Sequence, residues 1–194
     1  MNLLHLDSSI LGGQSASREL SAAIVARWVR DYPGLQVTSR DLAGIDALPH
    51  LDGDALAGND PTSAARGAHA MQEFLAADVI VMGVPMYNFG IPSQLKAWID
   101  RVAVAGKTFR YGADGAEGLA GGKKIVIAAA YGGLHPAHGA SNFVEPYLRF
   151  VFGFLGVTDI EFVHAEGMSI SAEHRSNALA QAHARIEQAL PLAA

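Results

Sequence analysis

The chain contains no cysteine. Disulfides, a thiolate nucleophile and a cysteine-ligated metal are therefore all excluded. Asp and Glu outnumber Lys and Arg by 19 to 14, leaving a net charge of −5. An acidic balance offers none of the basic surface that a phosphate backbone requires, so nucleic acid is not an expected partner. No apolar run approaches the length of a membrane span, and Met1–Ser9 has no basic leader and reaches Asp7 early. The expectation is a cytoplasmic protein without a secretory signal and without a membrane partner. Aromatic residues are only 8% of the chain, which makes the groups Tyr87–Phe89 and Phe143–Phe154 stand out.

Half of the 194 residues are hydrophobic, enough for one closed core and short for two, so a single domain over 1–194 is expected. Apolar runs alternate with amphipathic ones. "LLHL" from Leu3 reads as a buried strand, followed by a glycine-rich turn and a helix from about Ser17 carrying Leu20, Ile24 and Trp28 on one face, stopped by Pro33-Gly34. "LQVTSRDL" makes a second, less apolar strand, and the segment from Leu51 to Asn59 reads as loop. Asp60 before Pro61 is a helix N-cap signal. "DVIVMGVP" is continuous and β-branched, as a parallel strand covered on both faces must be, and "IPSQLKAWIDRV" opens a helix with Leu95, Trp98, Ile99 and Val102 on one face. "KKIVIAAAYGG" and "TDIEFVHAEGMSI" complete five strands, each followed by a helical pattern. This alternation predicts an α/β fold, a doubly wound five-stranded parallel sheet in the order 2-1-3-4-5 with helices on both faces. A hairpin-like excursion is expected at about 107–122, around Asp114-Gly115.

Ligands of open α/β sheets lie beyond the carboxyl ends of the strands, and three loops meet that description. "DSSILGGQSAS" offers the hydroxyls of Ser8, Ser9, Ser15 and Ser17, flexible Gly12-Gly13 and the free amides of a helix start, a combination suited to a phosphate. It lacks both G-x-x-x-x-G-K-[ST] and G-x-G-x-x-G, so neither a nucleoside triphosphatase nor a dinucleotide turn is indicated. "PMYNFG" presents Met86, Tyr87, Asn88 and Phe89 at a strand end, fit to flank a flat heteroaromatic ring. "AYGG", Ala130–Gly133, brings backbone N–H groups close to a ligand and can stabilise negative charge on it.

Together "LHLDSSILGGQSASREL", "VPMYNFGIPSQLKAWIDRV", "GKTFRYGADGAEGLAGGKK" and "PYLRFVFGFLGVTDIEFVHAEG" resemble the bacterial FMN-dependent NADH-azoreductases, also described as NADH:quinone oxidoreductases, over nearly the whole chain. The resemblance implies a flavodoxin-like fold and a homodimer with one FMN per subunit. It implies that Ser9 and Ser15-Ala16-Ser17 hold the phosphate, that Met86, Tyr87, Asn88 and Phe89 flank the isoalloxazine, and that Ala130, Tyr131, Gly132 and Gly133 line its pyrimidine edge. Tyr111 and Phe154 correspond to aromatic residues of the substrate pocket. It further implies a ping-pong reaction, NADH giving electrons to the flavin and a quinone or azo compound then taking them in the same pocket, with no side chain needed as catalytic acid or base and no metal. Two positions differ from the family pattern: Ala16 stands where a longer polar side chain is common, implying weaker FMN retention, and Tyr131 where a different polar residue is expected, bearing on substrate preference.

The apolar stretch "FVEPYLRFVFGFLG" leaves little of its helix polar, which points to cover on both sides, by a second subunit or by a wholly internal position. Two rival readings remain. "GQSAS" nearly matches G-x-S-x-G, so a serine hydrolase of the carrier-protein phosphodiesterase type is one, with His135, His138 or His164 as base. A flavodoxin-like electron carrier is the other. His135-x-x-His138 lacks acidic or sulfur partners and falls short of a metal site.

Overall fold

A computed structural model describes residues 1–113, 115–135 and 139–188. Five parallel strands form the sheet, β1 (Asn2–Asp7), β2 (Gln36–Asp41), β3 (Val79–Pro85), β6 (Lys124–Ala130) and β7 (Asp159–Ala165), in the order β2-β1-β3-β6-β7. This is the expected order, with the two excursion strands β4 (Phe109–Gly112) and β5 (Gly115–Gly118) intervening in the chain as an antiparallel hairpin. Its turn residue Asp114 and the histidine His138 lie outside the described residues.

The sheet works because β3 and β6 are buried along their whole length, and alternate side chains feed two separate cores. Ile80, Met82, Val84, Ile125, Ile127 and Ala129 face α3 (Pro61–Ala76), α4 (Ser93–Val102) and α5 (Val144–Phe154) through Phe74, Leu95, Trp98, Leu148 and Phe152. Val79, Val81, Val126 and Ala128 face α1 (Ala16–Asp31) and α6 (Ala172–Glu187) through Leu20, Ile24, Trp28, Ala182 and Ile186. Each fully buried side chain of this kind contributes roughly 1.5–3 kcal/mol. The second strand is less apolar because it is an edge: most of β2 is exposed.

Helix α3 starts as read, the Asp60 carboxylate accepting the Ser63 amide with Pro61 behind it. The segment expected as loop, by contrast, contains a short helix, α2 (Gly53–Ala57). Asp52 caps it by accepting the Ala55 amide at 2.8 Å, and Gly58 closes it in the left-handed conformation at φ 75°. Caps at both ends outweigh a glycine- and aspartate-rich composition. The hairpin lies hard against α5: a Cβ on Gly118 would fall inside the backbone of Leu155 and Gly156. Helix α5 is not internal, because Val144, Leu148 and Phe152 point inward while Phe143 and Phe150 are exposed.

Candidate functional site

The first loop leaves β1 at the carboxyl edge. Ser8 is spent on the fold, its amide and hydroxyl both donating to the Gly83 carbonyl at 3.3 and 2.7 Å. Gly83 itself sets how close α1 can come. A Cβ there would stand 2.6 Å from Asp7 Oδ1 and 3.0 Å from the Ser17 carbonyl, so only glycine lets the helix start settle onto β3. Ser15 caps α1 by accepting the Arg18 amide at 3.3 Å, and its hydroxyl lies 3.0 Å from that of Ser17. Ser9, Ser15, Ala16 and Ser17 are all buried. Helix geometry leaves the Ala16 and Ser17 amides without an intrahelical partner, at the positive end of the helix dipole.

Arg18 was not among the residues singled out in the sequence. Its Nε and Nη2 donate to the Ser9 carbonyl at 3.1 and 2.7 Å, Nη2 also donates to Asp41 Oδ1 at 2.5 Å, and Nη1 lies 3.8 Å from Asp7. The guanidinium hydrogen bond holds the Asp41 carboxyl below the usual carboxylate range and raises the Arg18 pKa in return. A readable signal existed: Asp7 and Asp41 end the first two strands, and two carboxylates ending neighbouring strands need a cation between them.

In the second loop, Tyr87 and Gly90 exchange backbone hydrogen bonds at 3.0 Å each, and both central residues, Asn88 and Phe89, have left-handed φ of 48° and 68°. That is the backbone of the tight primed turns, which asparagine tolerates and phenylalanine adopts only under strain. Phe89 is 53% exposed, so its ring is available to a ligand. The Tyr87 hydroxyl crosses to the first loop, where it lies 3.1 Å from Ser9 Oγ and accepts the Ile10 amide at 3.2 Å. Half-buried Met86 donates its amide to the Ala130 carbonyl at 3.0 Å.

The third loop departs in detail from expectation. Tyr131 continues the alternation of Ile127 and Ala129 and is fully buried toward α5, so its phenol does not face solvent at the loop. Burial pushes that phenol well above its ordinary range. Gly132 and Gly133 are closely packed, since a Cβ would stand 3.1 Å from Ser169 Oγ and 2.9 Å from His135 Nε2 respectively, side-chain ends that would have to give way. Their carbonyls accept the Ser169 and Gly167 amides at 2.9 and 2.8 Å, whereas their own amides donate to nothing among the described residues. His135 ties this loop to the second, its ring edge-on to Phe89 at 5.8 Å, with Nδ1 2.8 Å from Ser141 Oγ and its amide donating to Glu166 at 2.8 Å.

All three loops thus meet. Tyr111 and Phe154 do not join them. They sit with Phe109 in an aromatic group of their own, Phe109 to Phe154 at 4.7 Å and Phe109 to Tyr111 at 5.6 Å, with no aromatic pair to the three loops among the described residues. Beside the Tyr87–Gly90 turn an apolar groove of about 600 Å³ opens, lined by Gly90, Ile91, Phe143, Pro146 and Tyr147. The histidines offered as hydrolytic bases are otherwise engaged where they are described: His164 Nε2 lies 3.0 Å from Glu145, and His135 is held as above. Ser15 has no histidine partner among the described residues and serves as a helix cap.

Comparison with known proteins shows the family and the fold. The model of a family described as having a flavodoxin-like fold matches residues 1–190. A relative from Xanthomonas oryzae pv. oryzae named FMN-dependent NADH:quinone oxidoreductase is 60% identical over 190 residues, 97% of each chain. An azoreductase from Bacillus anthracis superposes with a TM-score of 0.85 at 28% identity, covering 96% of both chains. The azoreductase AzrA gives 0.87 at 28% identity, covering 96% of this chain and 97% of that one.

Proposed function

The chain belongs to that flavodoxin-like family, and from this membership we propose that it is an FMN-dependent enzyme using NADH to reduce quinones and azo compounds. The observation that carries the reading is the joining of the three loops at one sheet edge, above all the Tyr87 hydroxyl on Ser9 and Ile10. The donor set suits a flavin phosphate: the hydroxyls of Ser9, Ser15 and Ser17 and the first amides of α1 lie together at the helix start, and Arg18 offsets part of the charge of the two carboxylates beside it, Asp7 and Asp41. Bound FMN supplies two-electron chemistry between NADH and an acceptor.

The residues of the chain position and exclude. Met86, Asn88 and Phe89 would hold the faces and polar edge of the flavin ring, and the free amides of Gly132 and Gly133 would donate to its pyrimidine side and favour negative charge there. Ala130 and Tyr131 hold the loop in place, the Ala130 carbonyl accepting the Met86 amide and the Tyr131 amide donating to the Ala165 carbonyl. A single open side of such a site would serve donor and acceptor in turn, the ping-pong order. A homodimer would cover the exposed Phe143 at the start of α5 and Phe150 on it, and would offer Tyr111 and Phe154 a place in the substrate pocket of the partner subunit. No helix among the described residues is long and apolar enough to cross a membrane.

The test is direct. Purified protein is yellow, bleaches when NADH is added without oxygen and recovers its colour on addition of a small quinone, with parallel lines in double-reciprocal plots. A colourless preparation that takes up no added FMN overturns the reading. Flavin reducible only by another protein favours an electron carrier instead.

A further inference from the structure

Beneath the first loop lies a charged assembly with a specific geometric effect. Parallel pairing puts Asp7 beside Asp41 at the carboxyl edge. Arg18 fills the space between them, and His5 and Ser21 complete the surroundings: Ser21 Oγ donates to Asp7 at 2.8 Å, and His5 Nε2 lies 3.0 Å from that hydroxyl and 3.6 Å from Asp7. Asp41 is further held by the Ala43 amide at 3.1 Å. Two of the guanidinium's donors converge on a single acceptor, the Ser9 carbonyl. In a planar trans peptide the carbonyl and the following N–H point in opposite directions. Fixing the Ser9 oxygen on Arg18 therefore turns the Ile10 N–H to the far side, where it meets the Tyr87 oxygen alongside Ser9 Oγ.

We propose that Arg18 is a positioning residue: gripping the Ser9–Ile10 peptide from below, it aims the Ile10 amide and the Ser9 hydroxyl across the site and couples the phosphate loop to the Tyr87 turn. The guanidinium does this while turned away from the loop's open side, engaged with Asp7, Asp41 and a carbonyl. This inference rests on the assignment of the three loops to FMN.

Affinities for FMN and for riboflavin, which lacks the phosphate, test it by flavin fluorescence in Arg18→Gln, Tyr87→Phe, the double variant and Ser17→Ala. Arg18→Gln is expected to weaken FMN about tenfold, the worth of one hydrogen bond to a charged group, and riboflavin by less than about twofold. Tyr87→Phe is expected to shift the same ratio in the same direction and to add nothing in the Arg18→Gln background, because the two act through one peptide. Equal losses for both flavins, or additive effects in the double variant, overturn the proposal. If Arg18→Gln does not fold, an unchanged FMN-to-riboflavin ratio in Tyr87→Phe overturns it alone. If Ser17→Ala also leaves FMN binding untouched, the loop assignment itself fails rather than the role of Arg18.

Discussion

At the start of α1, polar atoms are matched to one another: Ser8 to Gly83, Ser15 to Ser17 and the helix amide, Arg18 to two carboxylates and a carbonyl. Around α5 and the β4–β5 hairpin, large rings meet little, with Phe150 76% and Tyr111 75% exposed. The difference follows from the forces involved. Hydrogen bonds are short and directional, so a polar loop can be completed by neighbours within one chain. Apolar surface is satisfied only by area, and a rim of exposed aromatics stays incomplete until another surface covers it.

The comparison can be broken most strongly at the hairpin. Gly118→Ala forces the hairpin off α5 and is expected to cost about 3 kcal/mol in urea unfolding, with flavin affinity of the folded protein little changed. Next, Phe150→Glu is expected to weaken self-association by about 2 kcal/mol, roughly thirtyfold in dimer dissociation measured by sedimentation, while the isolated chain unfolds within about 0.5 kcal/mol of the parent. On the polar side, Phe89→Gly relieves a left-handed residue and is expected to add about 1 kcal/mol to stability while reducing quenching of bound flavin, since a ring beside the ligand is lost. The smallest effect is expected from Asp41→Asn. The hydrogen bond from Arg18 depresses the native Asp41 pKa, so its contribution is complete at neutral pH and lost as pH falls through that lowered value. Parent and variant should differ most near neutrality and converge in acid; a gap that widens in acid contradicts the assignment.

Much of this was legible in the order of residues, for reasons that separate cleanly. The central strands β3 and β6 are apolar throughout because both faces are covered, and Asp60-Pro61 announces a helix by capping chemistry that is local. Local signals failed where caps overrode composition, at Gly53–Ala57. They were silent where the outcome depends on tertiary approach. A strand buried on both sides carries no alternation from which to read that Tyr131 turns into the core, and nothing in "PMYNFG" states that two non-glycine residues take left-handed backbone. The three loops could be singled out because glycines, serines and strand ends are what an open parallel sheet offers a ligand. The clasp between Tyr87 and Ser9, 78 residues apart, is visible only once β1 and β3 lie side by side.

Gly83 carries one more consequence. Its absent side chain lets the start of α1 rest directly on β3, where a Cβ would meet Asp7 and the Ser17 carbonyl. Gly83→Ala should therefore lift the helix start, and if that start holds the FMN phosphate as proposed, the variant sheds its pigment on dilution faster than the parent.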